Sequence, residues 1–383
     1  MKLLNEKKLH RSLYDRVSYG LEACEYAGVQ MLVRQHGEIV SRLSMGVSDC
    51  WSQTPLAENS MFRLASMTKA VTCSAVLLAV RNGWFALDDL LCTHMPEFSS
   101  MYIGVLRDGV PVPDHPAENP IRIFQLMSHT SGVMSALPLG EALVEQMPRS
   151  ANVSVSSVAE YCAHQPLVFE PGTRTAYTGS ASFDILAALI ERKSGMSFSA
   201  FVRENLLDPL GLSDLTFTPT EEQWQRLVSM HDRTDSKTLV TVNMGRHVYE
   251  GFPLTYTRAG GGLMGSIDDY SRFAEYLRND GALDGVRLLP ISIARELHTP
   301  RVPDGIPGRS ATESWGLGVR VIVRDAILPV GSFGWSGAYG THFWVDPENE
   351  ITAVLMKNNY QYDAHGGGRS GVQFEHDVME SLD

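Results

Sequence analysis

Three groups of residues in this 383-residue chain have the types and spacing that chemistry needs. The first is Ser66-Met67-Thr68-Lys69, which opens the apolar run 70–80. A helix that is apolar nearly all round is buried, and residues i and i+3 are neighbours on it. That spacing sets the amine of Lys69 beside the hydroxyl of Ser66. A lysine withdrawn from water can take a serine's proton and so make the serine a nucleophile. The free N–H groups and dipole at the helix start favour a developing oxyanion. The plainer reading is a capping serine and a surface lysine. It leaves a lysine inside an apolar helix unexplained, because burying one unpaired is costly.

The second group is Glu170-Pro171-Gly172-Thr173-Arg174-Thr175-Ala176-Tyr177-Thr178-Gly179, a turn and a short extended piece that set a tyrosine ahead of a helix. A phenol close to a lysine can relay a proton; in isolation Tyr177 reads as a core tyrosine with a satisfied hydroxyl. The third is Phe333-Gly334-Trp335-Ser336-Gly337-Ala338-Tyr339-Gly340 and the strand after it. Its glycines suggest close backbone approach, either to a substrate, with N–H groups as oxyanion donors, or to packed aromatics around a bulged strand.

The elements that must position these groups follow from periodicity. Residues 9–27 have amphipathic helical spacing. Residues 29–33 and 39–43, around Gln35-His36-Gly37, read as a β-hairpin. From 61 to about 250 the pattern is mostly helical, broken by loops that include 110–116 and 169–172. One helix follows Ser182 and ends at Lys193-Ser194-Gly195. Another starts near Ser197 and stops before Asp208-Pro209. Ser266 caps a helix with Asp268 and Asp269 in its first turn, ending near Arg278. Strands are expected at 316–323, 340–345 and 351–356, the last two joined antiparallel across Asp346-Pro347-Glu348-Asn349. A helix over 372–382 closes the chain. The fold class expected is α+β: one antiparallel sheet built from both chain ends and flanked by helices, with an inserted, mostly helical domain. The boundaries are 1–60 plus 255–383 for the sheet domain and 61–254 for the helical one, with the active site between them.

Composition narrows the function. Apolar residues are 44% and charged residues 20%, ordinary globular usage. With 32 Lys plus Arg and 44 Asp plus Glu, the net charge is −12, which argues against nucleic acid and against an anionic membrane surface. The five cysteines, Cys24, Cys50, Cys73, Cys92 and Cys162, are odd in number and form no CxxC. They read as reduced thiols of a cytoplasmic protein. The charged N-terminus has no secretory h-region, and the apolar run 70–80 is too short to span a membrane. Three motifs are set aside. Gly260-Gly261-Gly262-Leu263-Met264-Gly265 fits GxGxxG, but no β-run precedes it, and Asp268 and Asp269 would repel a pyrophosphate. His365-Gly366-Gly367-Gly368 has no downstream Gly-x-Ser-x-Gly and reads as a loop. His129 lies in a loop and reads as structural. No metal is expected, because the 12 histidines contain no HExxH.

Taken together, Ser-x-x-Lys, then Tyr, then Trp-x-Gly before paired strands resemble the serine β-lactamase and penicillin-binding-protein superfamily. They are most similar to its class C β-lactamase-like carboxylesterases, family VIII. The resemblance runs from Val29 to about Asn358 and includes Leu126-Met127-Ser128-His129-Thr130-Ser131-Gly132 and Gly260-Gly261-Gly262-Leu263. It implies Ser66 as nucleophile, Lys69 as general base and Tyr177 as proton relay, with the N–H groups of Ser66 and Ala338 as oxyanion hole. Trp335, Ser336, Gly337 and Gly179 would contact substrate. Two departures bear on specificity. β-Lactamases of this type carry Tyr-x-Asn where this chain has Gly179, and Lys-Thr-Gly where it has Trp335-Ser336-Gly337. The lost lysine would hold an antibiotic's carboxylate, a contact worth about 1.5–3 kcal/mol. The expected function is therefore hydrolysis of small, uncharged carboxylic esters through an acyl-enzyme, with no cofactor, and a small-molecule ester as the one partner. Three alternatives remain: an amidase, peptidase or acyltransferase on the same site; a β-lactamase or D-Ala-D-Ala carboxypeptidase; and a catalytically inactive binding protein. Oligomeric state is not legible in the sequence.

Overall fold

The computed structural model describes residues 2–383 except 148, 150, 151, 235, 236, 245–247, 250 and 361–368. His365-Gly366-Gly367-Gly368 lies outside the described residues. The first helix, α1, spans Glu6–Glu22. It starts three residues before the periodicity suggests because Asn5 caps it, its side chain accepting from the Lys8 N–H at 3.1 Å. It stops before Cys24, which adopts φ 51° and so leaves the helix. The expected hairpin is present as β1 (Gly28–Gln35) and β2 (Glu38–Asp49). His36 and Gly37 turn it with φ of 53° and 84°, the left-handed pair a tight hairpin requires.

β1 and β2 join a single antiparallel sheet with β3 (Thr54–Pro55) and five strands from the other chain end: β6 (Glu313–Trp315), β7 (Arg320–Ile322), β8 (Phe333–Gly337), β9 (Thr341–Asp346) and β10 (Ile351–Met356). The order is β6-β7-β8-β9-β10-β1-β2-β3. The turn between β9 and β10 is set by Asp346, whose Oδ1 accepts from the N–H groups of Glu348 and Asn349. Side chains alternate across the sheet. Met31, Val33, Trp344, Ala353 and Leu355 pack with Leu9, Leu13 and Val17 of α1 and with Phe374 and Val378 of the last helix, α5 (Arg369–Met379). Leu32, Phe343, Val345, Val354 and Met356 face the other way, into the core shared with the helical region. At the centre of that core runs α2 (Thr68–Arg81), buried from Thr68 to Ala79 and packed against α3 (Ala181–Ser194).

The α+β class with a large antiparallel sheet is as expected, but several local expectations are corrected. Residues 110–116 are not a loop: Val110–Pro116 is a strand paired with Tyr102–Arg107, its prolines tolerated on the edge of a two-stranded ribbon. The run 316–323 is not one strand, because Gly318, at φ 71°, turns the chain between β6 and β7. The glycine run 260–265 leads into β5 (Met264–Ser266), which pairs antiparallel with β4 (Met61–Arg63) just before the Ser66 turn. Ser266 does cap α4 (Ile267–Arg278), with both aspartates in its first turn. The closing helix begins at Arg369 and ends at Met379, earlier than the periodicity implies.

Because α2 carries Lys69 at one end and supplies core along its length, trimming it should loosen the whole molecule. Leu77 is fully buried, so Leu77→Ala should cost about 2–5 kcal/mol, read as a lowered midpoint in denaturant unfolding.

Candidate active site

Ser66 lies in a single 3₁₀ turn, Ala65–Met67, that runs directly into α2. Ala65, just before it, is held at φ 46°, a region costly for a residue with a side chain. The surroundings impose that conformation. The Leu64 N–H donates to the Leu263 carbonyl at 3.0 Å, and the Thr341 hydroxyl donates to the Leu64 carbonyl at 2.9 Å. Gly337 lies so close that a Cβ there would stand 2.3 Å from the Leu64 oxygen and 3.2 Å from the Ala65 Cβ. The end of β8 is therefore pressed against the turn that carries Ser66.

Lys69 is fully buried. Its Nζ reaches Ser66 Oγ at 3.0 Å, the Gly179 carbonyl at 2.6 Å and the Gly260 carbonyl at 2.7 Å. The rings of Phe183 and Tyr177 lie beside it, centroids 4.9 and 5.0 Å away. A neutral amine has two N–H groups and one lone pair. In that form, with both N–H groups given to the two carbonyls, the lone pair would face Ser66. In the ammonium form the same three acceptors satisfy its three donors. The Tyr177 hydroxyl donates to Ser66 Oγ at 2.7 Å, so the serine oxygen sits between an amine and a phenol.

Tyr177 is itself held. Trp335 Nε1 donates to its hydroxyl oxygen at 3.2 Å. Its ring packs on His129 and Trp315, centroids 4.7 and 5.9 Å away. His129 is fully buried, and burial drives its pKa well below the usual imidazole range. It is therefore neutral, and its Nδ1 accepts the Thr178 N–H at 3.0 Å. Its carbonyl accepts the Ala176 N–H. His129 thus grips the backbone on both sides of Tyr177 and stays away from Ser66.

Ser66, Tyr177, Gly179, Gly260 and Ala338 line one cleft of about 1130 Å³. Met134, Met147 and Phe252 give it apolar walls, and Arg149 and Arg258 bring it positive charge, each over the Phe252 ring. Of the residues expected to meet substrate, Gly179 faces open space where a side chain would be and gives its carbonyl to Lys69. Trp335 is turned to Tyr177. Ser336 is a correction: successive strand residues face opposite ways. Its hydroxyl pairs with His342 Nδ1 at 2.8 Å on the far face, where His342 Nε2 meets Glu375 of α5. Gly337 packs on the Ser66 turn. Sequence reasoning missed Trp315, and it took Gly260 as part of a stretch supporting the resemblance without giving it the role its carbonyl has in holding Lys69. The signal for Gly260 was its glycine identity, since a Cβ there would stand 2.7 Å from both the Gly179 oxygen and the Ser180 Cα. Among the described residues no three His, Cys, Asp or Glu side chains are grouped as a metal requires, and no helix is long and apolar enough to cross a membrane.

This constellation sits on the sheet and helix arrangement of the serine β-lactamase fold. The Beta-lactamase family model matches residues 15–374, and the chain belongs to that family, whose members share a hydrolase fold. It is 30% identical over 359 residues to Protein Rv1367c of Mycobacterium tuberculosis, covering 88% of this chain and 87% of that one. It is 29% identical over 357 residues to Esterase EstB of Burkholderia gladioli, covering 86% of each. Among solved structures, EstCE1, described as a hydrolase with promiscuous acyltransferase activity, superposes with a TM-score of 0.81 at 22% identity, covering 98% of this chain and 99% of that one.

The Trp335 contact yields a test. Trp335→Phe keeps an aromatic wall but removes the donor to Tyr177. One hydrogen bond of about 1 kcal/mol corresponds to a fall of about fivefold in kcat, measured by steady-state ester hydrolysis.

Proposed function

We propose that this protein is a serine carboxylesterase that acts through an acyl-enzyme on Ser66. The observation that carries the reading is Ser66 Oγ within hydrogen-bond reach of both Lys69 Nζ and Tyr177 OH. In the proposed cycle the Lys69 lone pair takes the Ser66 proton as Oγ attacks the ester carbonyl. The N–H groups of Ser66 and Ala338 hold the oxyanion. Tyr177 protonates the departing alkoxide and is recharged from Lys69. Water then enters, loses a proton along the same route, and releases the acid and free Ser66. We further propose that the chain divides as 1–60 plus 255–383 and 61–254, with the cleft at the junction. The similarity to Esterase EstB supports ester chemistry, and the apolar walls suit uncharged acyl groups. Arg149 and Arg258 on the cleft wall favour a second reading, esters that bear an anionic group.

Ser66→Ala should abolish ester hydrolysis and fluorophosphonate labelling while leaving the melting temperature nearly unchanged. Lys69→Ala and Tyr177→Phe should each slow acylation by about 10²–10⁴-fold, read in single-turnover experiments. Labelling that persists in Ser66→Ala would remove Ser66 from the mechanism.

Specificity is tested on one preparation with a short-chain aryl ester, the half-ester of a dicarboxylic acid and a chromogenic cephalosporin. The neutral ester should give the highest kcat/KM. A preference for the half-ester selects the anionic reading, and a preference for the cephalosporin selects β-lactamase chemistry.

A further inference from the structure

The two carbonyls that aim Lys69 come from different parts of the chain, Gly179 before α3 and Gly260 in the loop after Tyr256. The two segments pack together where Gly260 meets the Gly179 oxygen and the Ser180 Cα. Besides Lys69, a second side chain bonds both segments. Asp184, in the first turn of α3 and fully buried, accepts from the Ser180 hydroxyl at 3.0 Å, the Tyr256 hydroxyl at 2.7 Å and the Ala259 N–H at 2.9 Å. Ser180 follows Gly179, and Ala259 precedes Gly260. The Ala259 peptide is held from its other side as well, its carbonyl accepting from the Thr72 hydroxyl of α2 at 2.6 Å.

Building on the proposed role of Lys69, we propose that Asp184 is a positioning residue for the general base: its carboxylate ties Ser180 to Ala259 and so sets the two carbonyls that direct the Lys69 lone pair at Ser66. The argument is one of geometry. A neutral amine finds its direction only from where its N–H groups go, and here both go to carbonyls one residue from an Asp184 contact. If the tie is released, Ala259 keeps its Thr72 bond and the next side-chain anchor of the loop is the Thr68 hydroxyl at Leu263, three residues beyond Gly260. The amine then loses its fixed orientation even though it stays buried. A misplacement of about 1 Å in a reacting group costs on the order of 10²-fold in rate, whereas a substrate in the cleft, which does not touch Asp184, keeps its binding contacts.

The carboxylate also gives the tie a pH dependence. Burial pushes the Asp184 pKa up to about 6, opposed by the Tyr256 hydroxyl, the Arg258 charge, and the Ala259 and Ser180 donors. The titratable and charged groups around it are Tyr256 and Arg258 on the loop, Cys162 on the helix Val155–Ala163, and Lys69 on α2 beyond the two carbonyls. Ionised, the carboxylate accepts from all three donors. Protonated, it carries a hydrogen of its own, and one donor must give way. The tie is therefore intact above about pH 6 and loosens as the pH falls through that value.

The experiment compares Asp184→Ala, Asp184→Asn and Tyr256→Phe with the wild type, with rates normalised to the fluorophosphonate-reactive fraction. Asp184→Ala should lower kcat about 10- to 100-fold with KM within about threefold. Asp184→Asn keeps an oxygen for the Ala259 N–H, and the two hydroxyls can turn to accept its amide. It should recover part of kcat at neutral pH and lack the acid-side step near pH 6 that the wild type should show. Tyr256→Phe, which removes one donor and keeps the buried ring, should lower kcat a few-fold and carries the test should Asp184→Ala fail to fold. Wild-type kcat in the Asp184 variants, or an acid limb unchanged in Asp184→Asn, overturns the proposal. If Ser66→Ala keeps hydrolysing esters, the underlying reading fails instead, so the two failures are separable.

Discussion

A buried lysine amine between two backbone carbonyls and a serine hydroxyl is the constraint around which the rest of this molecule is arranged. An amine in an apolar core is costly unless each of its hydrogens is met. Lys69 has three acceptors in reach, and no more are needed in either protonation state. Meeting that demand brings together residues from positions 66, 179 and 260. Each of those segments is then anchored in turn: the Ser66 turn by Thr341 and Gly337 of the sheet, Gly179 by the start of α3, and Gly260 by Thr72. The polar site and the apolar core are one construction, because α2 supplies the lysine at its first turn and core side chains along the rest of its length.

Tyr177 depends on the same arrangement from the other side. Its hydroxyl has two partners, Ser66 as acceptor and the Trp335 indole as donor, and its ring is fixed by His129 and Trp315. The position that in related β-lactamases holds a strand lysine here presents an indole N–H to the tyrosine. Trp335 therefore reads less as a substrate contact than as part of the phenol's support. The buried, neutral His129 accepts from the backbone on both sides of the tyrosine, which gives it a mechanical part in holding that ring.

The sheet makes these contacts possible by being two-faced. Its outer face is sealed by α1 and α5, so strands β9 and β10 can be apolar on both sides. With that face closed, β8 can press its glycine end against the Ser66 turn. Ser336, itself exposed, points to that side and is joined through the buried His342 to Glu375.

Much of this was legible from local pattern alone. The Ser-x-x-Lys spacing together with an apolar run places a hydroxyl next to an amine on any helix, because helical geometry needs no information from elsewhere. The hairpin at His36-Gly37, the Asp346 turn and the Ser266 cap are likewise set by residues a few positions apart. The type and spacing of Ser66, Lys69 and Tyr177 therefore fixed which chemistry was available. What only the tertiary structure decided is how those groups are aimed. The Gly179 and Gly260 carbonyls carry no side-chain signature, since every residue has a carbonyl. Asp184 looks like an ordinary first-turn acid, and Ser336 looks like a neighbour of the cleft until strand alternation turns it away. The strand at Val110–Pro116 was hidden by prolines that an edge tolerates. The contacts that aim Lys69, tie Asp184 to Ala259 and brace the Ser66 turn join residues 110, 75 and 277 positions apart, and no local periodicity encodes which distant backbone atom will stand at the end of a lysine.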